Sequence, residues 1–344
     1  LGWEELELEV VRDADNNKIT VCFIENVDPM GVHTGDSYCT APMLTVAPEL
    51  QERLQEISYR IVEAIGVIGG TNIQFAHDPA TGRVVVIEIN PRTSRSSALA
   101  SKATGFSIAL VSAKLAGGLT LSDIPYWRDG TLDKYTPSGD YVVVKFARWA
   151  FEKFDDAADQ LGTQMRAVGE VMSIGKTYKE AFQKSIRSLE IGRYGLGFAK
   201  NYHDLPLADL RRLLAEPTSE RQFVMYEALR KGMPVDELHS LTHIGRWFIE
   251  QMAELVALEE RILKHAGSLP PDDLLLQAKR DGFSDRYLGQ ILGVGEEAVR
   301  ERRRALGLAQ AWEAVPVSGA NASYYFSTYN ASDSVPVSDR KKIM

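Results

Sequence analysis

The sequence is poor in cysteine: its 344 residues hold two, Cys22 and Cys39. Two thiols cannot build a disulfide framework, and they fit a reducing compartment. Neither lies at a Cys/His spacing that would make a zinc site. Long apolar runs are also absent, none reaching the ~18 residues of a membrane-spanning helix. Positive charge is in deficit, with 39 Lys and Arg against 47 Asp and Glu for a formal net charge of -8. That balance argues against a general nucleic-acid coating role and leaves only local basic sites open. There is no initiating methionine and no signal-peptide pattern. The chain opens within an alternating strand and ends in Ser338-Asp339-Arg340-Lys341-Lys342-Ile343-Met344, which reads as the approach to a further element. The expectation is a fragment of something longer, cytoplasmic, with an organellar setting left open.

What is present suffices for a core: 44% of residues are hydrophobic, and the length allows two or three domains. Gly 27 and Pro 14 are near ordinary usage. Leu6, Leu8 and Val10 alternate with Glu5, Glu7 and Glu9, predicting a strand that pairs with residues 19–24 across a polar turn. Apolar residues recur at helical spacing from 48 to 65. A strand over 72–76 and its partner over 84–89 flank a second turn. A helix is predicted over 96–115, with Gly105 able to bend or interrupt it. A strand over 141–145, an apolar segment over 169–176 and an amphipathic helix over 178–189 follow. Beyond the glycines of 192–197 the pattern becomes short helices: 205–215, 219–231, 234–241, 245–265, 270–281, 284–291 and 295–306. Such segments fold only by sharing a core. After Val315 periodicity ends, and an irregular connector is expected.

The sharpest local signal is a polar hairpin. Opposed residues of the 72–76 and 84–89 strands have numbers summing to about 162, which sets Asn72 against Asn90 and Gln74 against Glu88. Ile73, Phe75, Ile87 and Ile89 then face a core. One carboxylate and three amides on one face suit Mg²⁺ or Mn²⁺ whose shell is completed by phosphate oxygens. Arg92 and Arg95 follow at once with planar donors for phosphate or carboxylate. A solvent-exposed hairpin face would read the same way. The loop Met30-Gly31-Val32-His33-Thr34-Gly35-Asp36-Ser37 has glycines for close approach to an anion, with hydrogen-bonding side chains beside them. It lacks the ending of a Walker A loop. His33 is either an ordinary loop residue or a donor beside a transferring phosphate.

That loop, Gly70-Thr71-Asn72-Ile73-Gln74-Phe75, and the run Ile87-Glu88-Ile89-Asn90-Pro91-Arg92-Thr93-Ser94-Arg95-Ser96-Ser97-Ala98-Leu99-Ala100-Ser101-Lys102-Ala103-Thr104-Gly105 resemble the large chain of carbamoyl phosphate synthetase. The likeness extends through Gln164-Met165-Arg166-Ala167-Val168-Gly169-Glu170 and into the helical segment and tail. It implies an α+β chain: the C-terminal portion of an ATP-grasp domain over 1–192, an all-α oligomerisation domain over 193–315, and a connector over 316–344 to a second synthetase unit. It implies an ATP-dependent ligase that makes carboxyphosphate from bicarbonate, carbamate from ammonia, and carbamoyl phosphate with a second ATP, feeding arginine and pyrimidine biosynthesis. By the same resemblance, Gln74, Glu88 and Asn90 are metal ligands. Arg92, Arg95, His33 and Asn72 surround the reacting groups. Glu5, Gly31, Val32, His33, Thr34, Gln74 and Glu88 contact the nucleotide. The implied ions are two Mg²⁺ or Mn²⁺, with K⁺ as a further candidate. The implied partners are a glutamine-hydrolysing small subunit or fused domain, the rest of the large chain and a second copy. Nucleic acid and membrane are not among them. The isolated fragment is expected to be inactive.

Other readings remain: an assembly module without catalysis, or a different ATP-grasp carboxylate-amine ligase. A third comes from Phe283 to Leu308, which resembles a helix-turn-helix with arginines on its second helix. That stretch holds five arginines and four acids, giving no extended phosphate footprint.

Overall fold

The computed structural model describes residues 2–126, 128, 130–154, 156–316, 323–335 and 339. The terminal run from 338 to 344 therefore lies, apart from Asp339, outside the described residues.

Alternation makes strands of β1 (Glu4–Arg12), β2 (Lys18–Asn26), β4 (Gly69–Asp78) and β5 (Arg83–Asn90). With β3 (Cys39–Ala41), β8 (Val142–Arg148) and β9 (Gly169–Gly175) they form one antiparallel sheet in the order β5-β4-β1-β2-β3-β8-β9. Helix α1 (Pro48–Ile65) starts with proline in its first turn and stops at Gly66, whose left-handed φ of 74° closes the last turn. Its Leu54 and Val62 pack on Leu6, Leu8, Ile73 and Phe75 on one face of the sheet. The other face is covered by α2 (Arg95–Thr104) and α3 (Ile108–Ala116). These replace the single helix predicted over 96–115, because Gly105 adopts a left-handed φ of 69° and ends the first helix. Fully buried Ala100 lets α2 lie close on that face. A two-residue pair, β6 (Pro125–Tyr126) and β7 (Gly130–Thr131), follows α3.

Beyond β9, α4 (Tyr178–Ser188) is capped by the Thr177 side chain, which accepts from the Glu180 N–H. Its Phe182 and Tyr178 stack with each other and join Tyr38, Phe146 and Phe248. These rings fuse the sheet to the helical part in one continuous core. That part consists of α5 (Leu207–Leu214), α6 (Arg221–Arg230), α7 (Val235–Thr242), α8 (Arg246–Leu263), α9 (Asp272–Arg280), α10 (Asp285–Leu292) and α11 (Glu296–Ala305). A buried ion pair between Asp28, in the loop after β2, and Arg221 of α6 also ties the two parts.

Two local expectations are corrected. Residues after Val315 are not all irregular, since β11 (Ser323–Thr328) pairs antiparallel with β10 (Ala311–Pro316). Ile87 is 39% exposed rather than in the core. The register shifts between Gln74 and Phe75, so Glu88 faces Gln74 but Val86 faces Phe75, leaving Ile87 as the extra residue of a bulge on an edge strand.

Candidate functional site

The polar face of the hairpin turns inward. Asn72 pairs with Asn90 and Gln74 with Glu88, and all four line a cavity of about 430 Å³. The same cavity takes in His33, Thr34, Arg92 and Arg95. Asn72 and Gln74 are buried on interior strand β4, whereas Glu88 on the edge strand is exposed and Asn90 half-buried. The Asn90 side-chain N–H donates to Glu88 Oε1 at 2.8 Å, and the Asn90 amide oxygen accepts from the Arg92 guanidinium at 3.4 Å. Arg92 and Arg95 are exposed at the solvent side.

The loop over 31–37 is fixed from within. Gly31 has φ 114°, a conformation that side chains disfavour. The Gly35 N–H donates to His33 Nδ1 at 2.9 Å, which puts the proton of a neutral imidazole on Nε2. A Cβ on Gly35 would meet Met165 Sδ at 2.6 Å, so a larger residue there would have to push the Met165 side chain aside. Buried Asp36 accepts from Trp149 Nε1 at 3.1 Å, from the Arg166 N–H at 2.8 Å and from the Ala167 N–H at 2.6 Å. This carboxylate locks the loop to the segment that carries Met165. Gln74 Nε2 lies 3.4 Å from Thr34 Oγ1, joining loop and hairpin.

The remaining predicted positions lie apart from the cavity lining. Gly31 is exposed, Val32 is packed in the core, and Glu5 is buried farther along β1. Glu5 Oε2 has no hydrogen-bond partner among the described residues. Burial, and then the charge of Glu7, push its carboxyl up to about 8, with Lys145 opposing.

Alternation alone missed several residues. Glu7 lines the cavity and accepts from Asn26 at 2.8 Å, Asn72 at 3.0 Å and Ser96 at 2.9 Å. Glu9 accepts from Asn72 at 3.0 Å and Ser97 at 2.9 Å. The serine run thus has a structural meaning. Ser94 and Ser97 form a reciprocal cap on α2, while Ser96 and Ser97 satisfy two buried carboxylates. Lys145 and Glu170 complete the polar lining. A charged residue inside a short apolar strand was the available signal for Lys145.

Three of the five arginines behind the helix-turn-helix reading are engaged in internal ion pairs. Arg300 meets Glu296 and Glu297, Arg302 meets Asp272, and Arg303 meets Asp285. Among the described residues no helix is long and apolar enough to cross a membrane.

Comparison with known proteins agrees with this arrangement. Residues 1–124 match the family model of the carbamoyl-phosphate synthase L chain, ATP binding domain, and residues 170–307 match that of the carbamoyl-phosphate synthetase large chain, oligomerisation domain. The carbamoyl phosphate synthase large chain of Archaeoglobus fulgidus is 47% identical over 100% of this chain and 33% of its own length. The corresponding proteins of Thermotoga neapolitana (46% identical, 100% of this chain, 31% of theirs) and Xylella fastidiosa (47%, 100% and 33%) are similar to the same extent. The chain spans about a third of the length of these relatives. With part of an ATP-grasp sheet followed by an all-helical oligomerisation domain, this chain belongs to the carbamoyl phosphate synthetase large-chain family.

Proposed function

We propose that the chain forms part of the site in which ATP activates bicarbonate to carboxyphosphate, within a ligase that proceeds through carbamate to carbamoyl phosphate. One observation carries this reading: a single cavity gathers Gln74, Glu88 and Asn90 in one acid-and-amide row, with Arg92, Arg95 and His33 around it.

The donor set fits Mg²⁺ or Mn²⁺. One carboxylate and two amide oxygens are hard ligands that add little negative charge to a site admitting a polyanion. No cluster of three or more His, Cys, Asp or Glu able to hold a metal occurs among the described residues; in the proposed site phosphate oxygens would complete the shell. Two divalent ions belong to the proposal, with K⁺ as a further one. When bound, they would neutralise charge on the transferring phosphoryl group. Glu88, Gln74 and Asn90 fix where that charge is met. Arg92 and Arg95 present planar donors to phosphate and carboxyphosphate oxygens. His33 directs its Nε2–H as a neutral donor toward phosphoryl oxygens. Asn72, held by Glu7 and Glu9, orients Gln74, whose Nε2 lies 3.3 Å from the Asn72 oxygen. The backbone around Gly31, Val32 and Thr34 is proposed to contact the nucleotide, and Glu5 its ribose, for which the unpartnered Glu5 oxygen is suited. No covalent protein nucleophile is required.

The proposed division is residues 1–192 as the ATP-grasp portion, 193–315 as the helical oligomerisation domain and 316–344 as a connector. Proposed partners are bicarbonate, ammonia and ATP, a glutamine-hydrolysing subunit or fused domain, the rest of the large chain and a second copy. The proposed setting is the cytoplasm or an organelle. In the full-length large chain, Glu88→Gln preserves shape but removes a charge. Bicarbonate-dependent ATP hydrolysis should fall about a thousandfold with folding retained. Activity near wild type at ordinary Mg²⁺ would refute the assignment.

A further inference from the structure

Strand β8 runs beside β3 under the cavity, with Lys145 in register with Cys39. Lys145 is only 6% exposed, although it lines a polar cavity. Taking an ammonium out of water is costly unless an anion compensates it. Among the described residues Lys145 forms one hydrogen bond, 2.8 Å to the Thr34 carbonyl, and no ion pair, although its charge reaches Glu5 and opposes the rise of that carboxyl. An ammonium has three N–H donors, so two remain for the cavity.

The neighbouring carboxylates do not supply the missing partner. Glu7 is held by Asn26, Asn72 and Ser96, while Glu5, whose carboxyl burial pushes up to about 8, forms no ion pair with Lys145 and does not line the cavity. Glu170 lines the cavity without pairing with Lys145. The other cations, Arg92 and Arg95, are exposed on the solvent side, where a long phosphate chain enters. A compact ammonium at the buried end, with two donors to spend, matches a small oxyanion instead.

We infer that Lys145 is the inner subsite for the one-carbon oxyanion, bicarbonate, and that its hydrogen bond to Thr34 aligns this subsite with the His33 loop. The inference rests on the bicarbonate-activating reading of the cavity. Lys145 is then a substrate-binding residue, and its loss is felt by bicarbonate rather than by ATP.

The test uses the full-length large chain with Lys145→Met and Lys145→Arg. The Met variant should raise the KM for bicarbonate about tenfold or more, the scale of a lost charged hydrogen bond, with the KM for ATP near its wild-type value. The Arg variant, which keeps the charge, should recover part of that loss. Line broadening of ¹³C-labelled bicarbonate should report binding in the wild type and in Glu88→Gln, and vanish in Lys145→Met. Persistence of the broadening in Lys145→Met overturns the inference. So does a parallel rise in the KM for ATP and for bicarbonate, because Lys145 would then only brace the loop. Normal hydrolysis by Glu88→Gln would instead refute the reading of the metal site, while a Lys145-dependent bicarbonate signal would still uphold the subsite.

Discussion

Glu9 shows how a single buried carboxyl ties stability to pH. Burial pushes its carboxyl up to about 8 from an ordinary 4.5; the Ser97 hydrogen bond opposes the rise and the charge of Glu7 adds to it. In the unfolded chain the group releases its proton near the ordinary value, whereas the folded chain retains it to about 8. Across that window the folded state binds more protons, so this residue's contribution falls as pH rises. Glu9→Gln keeps the shape and cannot ionise. Its melting midpoint should exceed wild type by on the order of 2 °C or more at about pH 9, and the gap should close toward pH 5. A gap that is constant with pH, or reversed, would show that Glu9 is ionised in the fold.

At the scale of elements, two connections decide the site. The N-terminus of α2 is positioned by serines that serve both its cap and the β1 carboxylates. The His33 loop is positioned by Asp36, whose carboxylate holds the backbone of Arg166 and Ala167. Asp36→Asn sets an amide where only acceptors fit. It should cost on the order of 2 kcal/mol, and amide exchange should quicken at residues 166 and 167. Unchanged protection at those amides would mean that the two loops are held together by other contacts.

For the whole molecule, the cavity has a deep wall and an open one. Glu88, Arg92 and Arg95 are exposed, and the adjoining edge strand leaves Val85, Val86 and Ile87 at 36–39% exposure. The proposed intermediate, carboxyphosphate, is an anhydride that water destroys, so the proposed chemistry would need a closed site. These 344 residues alone should therefore show no bicarbonate-dependent ADP release and form no carbamoyl phosphate with Mg²⁺, ATP, bicarbonate and ammonia. Turnover that scales with the purified chain and disappears in Glu88→Gln would contradict this.

Much of this was legible in the residues themselves, because the relevant physics is local. Period-two alternation and a short turn dictate that Asn72 faces Asn90 and Gln74 faces Glu88, and 3.6-residue spacing marks α1 and the helical series. The residues of the resemblance likewise singled out Gln74, Glu88, Asn90, Arg92 and Arg95, which the fold gathers around one cavity. What alternation could not tell was which strands become interior. Glu5, Glu7 and Glu9 look like a solvent face along β1, yet β2, β4 and α2 enclose them. Nor could it show the edge-strand bulge that ejects Ile87, or Lys145 reaching a carbonyl 111 residues away. A side chain's direction follows from its own strand, but its burial and partners depend on which distant segments close over it, and only the assembled sheet and helices decide that.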